Sequence, residues 1–193
     1  MKSILCSLFF LIGCSTVFSV EADVVIANFD KDYGTWTVEG EAFGKEPAHG
    51  PFAQQRRLTG IIGNGFANSG VNGDQQVGRL ISSEFTIERG YIQFLIAGAS
   101  KGVSLNLKID GKTTLKAAPD RKGNHLRYQN WDVKSFMGRK AQIEIEDQSK
   151  SPGGYILVDE ITQTNFPLQK ASQAIQIEKP YLLIPVKNGA PHF

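Results

Sequence analysis

The sequence predicts an all-β protein, an antiparallel β-sandwich of the jelly-roll, galactose-binding-like kind. Three observations carry that expectation. Between residues 23 and 164, apolar residues fall in short runs or at every second position. The segments Ser104-Leu105-Asn106-Leu107-Lys108-Ile109 and Ala141-Gln142-Ile143-Glu144-Ile145-Glu146 show the two-residue period of half-buried strands. Turn residues, many of them among the chain's 20 glycines, separate these runs, at roughly the 8–12-residue spacing of sandwiches and barrels. No amphipathic helix is legible in the body, where residues 133–137 offer one turn at most.

In chain order, residues 1–22 read as a targeting segment: Lys2 is a minimal basic start, 4–12 an apolar stretch, and Val20-Glu21-Ala22 offers small residues at a cleavage position. The apolar stretch is shorter than the about 20 residues a bilayer span needs. Leu11-Ile12-Gly13-Cys14 fits a bacterial lipobox equally well, and membrane attachment would then follow from a lipidated Cys14. Both readings place the body outside the cytoplasm. The two cysteines, Cys6 and Cys14, both lie in this segment, so the body has no disulfide, no thiolate metal site and no thiol nucleophile.

The body, 23–164, opens with an apolar strand at 24–29, turns through Asn28, Asp30 and Asp32, and re-enters a strand at 35–40 around Trp36 and Val38. Residues 60–78 are too long, Gly-rich and polar at the centre for one strand and read mostly as loop. Further strands are expected at 79–87, 91–96, 103–109, 113–117, 126–133, 141–146 and 155–163. Asp110-Gly111 between two of them predicts a tight hairpin of type I′. Asn165-Phe166-Pro167 breaks the last strand, and 165–193 reads as a linker ending in an apolar extended run at 180–186, the first strand of a following module.

Composition excludes several functions. A formal charge of +2 with scattered Lys and Arg gives no electrostatic case for nucleic acid. His49, His125 and His192 are far apart, without metal-ligand spacing. No serine sits in a nucleophile-elbow context, and Gly63-Asn64-Gly65-Phe66 lacks the Lys-Ser/Thr of a phosphate loop. Glu144 and Glu146 share an outward strand face with Gln142, the solvated side of a sandwich, so no carboxylate pair is set up for glycoside hydrolysis.

Two binding expectations remain. Asn28 and Asp30, with Asp159 in the last strand, are hard oxygen donors that would meet if the first and last strands are neighbours, and they suit a structural Ca2+. The same loop residues also suit Asx turns. A sugar site needs an aromatic platform beside planar polar groups. Tyr155, preceded by Pro152-Gly153-Gly154, Trp131 with Asp132, and Arg57 are the candidates, although Trp36 and Trp131 also suit a core.

The stretches VVIANFD, YGTWTVEGEAFG, GIIGNGFANSG, ISSEFTIERGYIQFLIAGA and YILVDEI, in that order, resemble the N-terminal β-sandwich of bacterial levanase-type enzymes of glycoside hydrolase family 32. The tail YLLIPVKNGAP resembles the opening of their next module. The resemblance implies an accessory domain beside a catalytic glycosidase module, with a fructan polysaccharide such as levan or inulin as ligand. The catalytic W-M-N-D-P-N-G, R-D-P and E-C motifs of those enzymes do not occur here, so no catalytic residue carries over and a chain acting without its propeller is expected to be non-catalytic.

Overall fold

Among the described residues, eleven strands form two stacked antiparallel sheets. The computed structural model describes residues 21–50, 58–99 and 101–168. Most of the leader with its lipobox, Arg57, and the extended run at 180–186 therefore lie outside the described residues. The strands are β1 (Val24–Ala27), β2 (Thr37–Gly40), β3 (Ala67–Asn68), β4 (Gly78–Ile81), β5 (Phe85–Thr86), β6 (Tyr91–Gly98), β7 (Val103–Ile109), β8 (Lys112–Ala117), β9 (Gly123–Asp132), β10 (Lys140–Asp147) and β11 (Ile156–Thr164). The five-stranded sheet runs β1-β11-β6-β9, with β3 also on β11; the six-stranded sheet runs β2-β4-β10-β7-β8, with β5 also on β10.

The predicted hairpin is present. Ile109 pairs with Lys112, and Asp110 and Gly111 adopt φ of 52° and 72°, the two positive values that a type I′ turn requires. The expected strand at 79–87 is instead two strands. Ser82 explains the break: its hydroxyl accepts the Ile143 N–H at 2.8 Å, in place of a backbone carbonyl, and donates to Ser83 O. A serine side chain thus competes with the ladder locally. β3, inside the Gly-rich stretch, gave no sequence signal, being only two residues long.

Alternation fills the space between the sheets. Ile92, Phe94 and Ile96 of β6 and Ile156 and Val158 of β11 face Leu105, Leu107, Ile143 and Ile145 of the other sheet, all at most 2% exposed. Trp131 joins this core, its ring 4.7 Å from that of Phe94. Each such side chain contributes about 1.5–3 kcal/mol by leaving water.

The central strands of the five-stranded sheet are buried on both faces. On its outer face Leu95, Ala97, Tyr155 and Leu157 meet Ala48, Phe66 and Leu126, with Leu58, Ile61 and Ile62 of the preceding loop packed against them. That second cover explains why β6 is nearly continuously buried rather than alternating.

The solvated face expected for Glu144 needs correction. Glu144 is only 4% exposed, because neighbours on adjacent strands close over it: Lys108 at 3.2 Å, Asn106 Nδ2 at 3.3 Å and Arg79 at 3.5 Å.

Candidate functional site

The first and last strands are neighbours, as the cation expectation required. β1 pairs with Ile161, Thr162 and Gln163 of β11, while β3 takes Leu157 and Val158 on the same edge. Asp159 and Glu160 fall in the gap between them, where the pairing with β6 also slips. Glu160 and Phe29 both hold positive φ, 47° and 53°, which L-residues adopt at a steric cost. The backbone is thus bent on both sides of the gap.

Into this gap come residues 28–30 and the loop at 62–65. Asp159, fully buried, accepts the Ile62 N–H on Oδ2 at 3.0 Å and the Glu160 N–H on Oδ1 at 2.8 Å. Asp30 Oδ1 accepts the Asn64 N–H. A Cβ on Gly65 would sit 2.1 Å from the Phe29 carbonyl oxygen, so the crossing demands glycine. Asp159 is pushed up to about 7, first by burial, with Glu160 and Asp30 adding repulsion against its two hydrogen bonds. Glu160 is raised by burial and then by Asp30. None of the three carboxylates takes part in an ion pair among the described residues.

The donors are all hard oxygens around uncompensated charge, the chemistry calcium takes. Among the described residues, however, no group of three or more His, Cys, Asp or Glu side chains is placed to hold a metal ion. Backbone and water oxygens would have to complete the shell. Asn28 is exposed and holds an Asx turn instead, its Oδ1 accepting the Asp30 N–H at 3.3 Å and its Nδ2 donating to Asp30 Oδ2 at 3.2 Å. Asp32 does the same for Gly34.

The residues expected to bind sugar are not brought together. Ile156 pairs with Gly98 and Thr164 with Tyr91, so Tyr155 and the Trp131-Asp132 pair lie at opposite ends of the sheet. Neither aromatic is an open platform: Tyr155 is 6% and Trp131 8% exposed. Tyr155 packs under the loop while its hydroxyl donates to Asn124 Oδ1. Trp131 points inward because its register partner is the core residue Ile92. Arg57 lies outside the described residues.

Asp132 is exposed and belongs to an outward strip that the sequence did not reveal. Register places Tyr91 opposite Asp132, Gln93 opposite Asn130, and Leu95 opposite Tyr128. Lys134 Nζ bridges the end of this strip, donating to Tyr91 Oη at 2.6 Å and Asp132 Oδ2 at 3.4 Å. Two half-buried tyrosines thus flank planar polar side chains on one face. The signal was present as alternation in Tyr128-Gln129-Asn130-Trp131-Asp132, but only pairing with β6 shows which set faces out.

Beside Tyr155, a cleft of about 100 Å³ opens at the start of β9. It is lined by Asp120, Arg121, Lys122, Asn124, His125 and Arg127, with Ile96 and Ala97 at its floor. Lys122 Nζ donates to Pro152 O at 3.3 Å, and His125 Nδ1 shares a 2.7 Å hydrogen bond with the Thr59 hydroxyl.

No family model matches the chain. A curated protein of Aspergillus rugulosus named "Putative glycosyl hydrolase ecdE" is 34% identical over 132 residues, which are 67% of this chain. The chain spans about a fifth of that relative's length, 19%. Among solved structures, the K2 cleaved adhesin domain of Lys-gingipain superposes with a TM-score of 0.52 at 19% identity, covering 74% of this chain and 99% of the domain. This likeness shows the fold. A family 61 carbohydrate-binding module in complex with beta-1,4-galactotriose gives a TM-score of 0.44 at 16% identity, covering 70% of this chain and 96% of the module.

Proposed function

We propose that this chain is the accessory, carbohydrate-binding β-sandwich of an exported multidomain glycoside hydrolase. The observation that carries the reading is the 34% identity to a stretch amounting to 19% of a protein named as a glycosyl hydrolase. A β-sandwich that matches a fifth of such a protein, and that has no assignable catalytic carboxylate pair, suits an attached module. The outward strip sets two half-buried tyrosines, Tyr91 and Tyr128, beside the planar hydrogen-bonding groups of Asn130 and Asp132, the mix of aromatic and polar groups that a sugar site draws on. The levanase-like motifs make a fructan the first polymer to test, and a catalytic glycosidase module the natural partner in the chain or complex. A structural Ca2+ held by Asp30 and Asp159, with backbone and water oxygens completing its shell, would tie the 62–65 loop to the sheet edge.

Affinity electrophoresis in gels containing levan, inulin or a non-fructan polymer tests the reading. Retardation by a fructan, lost in Asn130→Ala/Asp132→Ala, is expected; equal mobility in every gel rejects carbohydrate binding. The burial of Tyr155 and Trp131 favours a second reading, in which the domain only braces its neighbour, and that outcome of the gels would select it.

A further inference from the structure

We propose that the cleft at the start of β9 binds a small oxyanion, a carboxylate or sulfate, carried on an acidic sugar or free in solution. The reading goes beyond the fructan proposal, because a neutral polymer offers these cations no charge to neutralise. Five arginines fall among the described residues. Arg79, Arg89 and Arg139 each hold a carboxylate. Arg121 and Arg127 hold none among the described residues, and both line this one cleft. Lys122 adds a third cation, anchored on Pro152 O, against a single carboxylate, Asp120.

Burial sharpens the point. Arg127 is half-buried, so part of its hydration is lost without a compensating partner, an arrangement that costs free energy until an anion arrives. A guanidinium fork matches carboxylate and sulfate oxygens in two parallel hydrogen bonds. The cleft's volume of about 100 Å³ is below the roughly 300 Å³ at which drug-sized pockets begin. It admits one charged substituent, with the rest of the ligand outside. The walls are fixed independently of any ligand: Asn124 by the Tyr155 hydroxyl, Lys122 by Pro152 O and His125 by Thr59.

The full chain is titrated separately with galacturonate, inorganic sulfate and neutral galactose, following the backbone amides of Gly123 and Asn124 by NMR. Galacturonate or sulfate is expected to shift them and galactose to leave them unmoved. A response to galacturonate alone assigns the site to a sugar acid, and a response to sulfate alone to the free anion. Arg127→Gln and the exposed Arg121→Gln are each expected to weaken binding by roughly tenfold or more, while Lys116→Gln on the other sheet leaves it unchanged. Melting temperatures confirm that the variants fold. Absence of any anion-specific shift, or binding that persists in both arginine variants, overturns the proposal. Fructan retardation in gels is read separately, so either idea can fail alone.

Discussion

Between the sheets, Phe94, Leu105, Ile143 and Ile156 meet as alternate residues of regular strands, whereas on the far side of the five-stranded sheet Leu95 and Leu157 are covered by loop residues including Ile61, Ile62 and Phe66. The first region has its backbone polar groups satisfied by ladders. The second must seat irregular backbone against a sheet, and it does so with Asp159 accepting the Ile62 N–H and a glycine crossing at Gly65. The regular cluster is thus closed by strand ladders alone, while the loop-covered one has a fully buried carboxylate, Asp159, built into its border.

The largest expected effect lies in the first region. Phe94→Ala removes a fully buried ring packed at a tilt against Trp131 and should cost about 3–5 kcal/mol in urea unfolding. A loss no larger than that of a surface mutation would erase the distinction between the regions.

The second region should respond to pH in the absence of added calcium. Asp159 binds its proton more tightly folded, near 7, than unfolded, near 3.8. The native state therefore holds more protons in this window, and stability falls as pH rises from about 4 through about 7, then levels. The interval corresponds to a few kcal/mol. Asp147, pushed up to about 6 mainly by burial, adds a slope that ends lower. The melting temperature should rise on going from pH 8 to pH 5, and Asp159→Asn should flatten most of that rise above pH 6. Calcium at pH 8 should raise the melting temperature of the native chain and leave Asp159→Asn unmoved; identical melting with calcium and with chelator would remove the cation from the proposal.

Smaller effects follow. Gly65→Ala forces the 62–65 loop away from Phe29 O and should cost about 1–3 kcal/mol, with amide exchange quickening at Ile62 and Asn64 but not in β7. Glu39→Gln removes an exposed partner of Arg79 at 2.6 Å and should change stability by less than about 1 kcal/mol.

Much of the fold was legible because strand alternation is a local property. The segments around Leu105 and Ile143 announce their buried faces, and Asp110-Gly111 announces its turn. The adjacency of Asp30 and Asp159 was also within reach, through the expectation that first and last strands pair. What escaped was set by neighbours. Glu144 reads as a solvated residue until Lys108, Asn106 and Arg79 are seen around it. Tyr155 reads as an open platform until the loop carrying Phe66 is seen above it. Arg121 and Arg127 read as scattered charges until β9 and β6 place them in one cleft.

Period and turn chemistry act over a few residues, and they suffice to specify the all-β class, most of the strands and the acidic loop near Asn28 and Asp30. Which polar groups are buried, which aromatics face solvent and where cations gather are settled by packing between distant segments. Those properties depend on which strands lie side by side and which loop covers them, and residues as distant as Ile62 and Asp159 set them jointly.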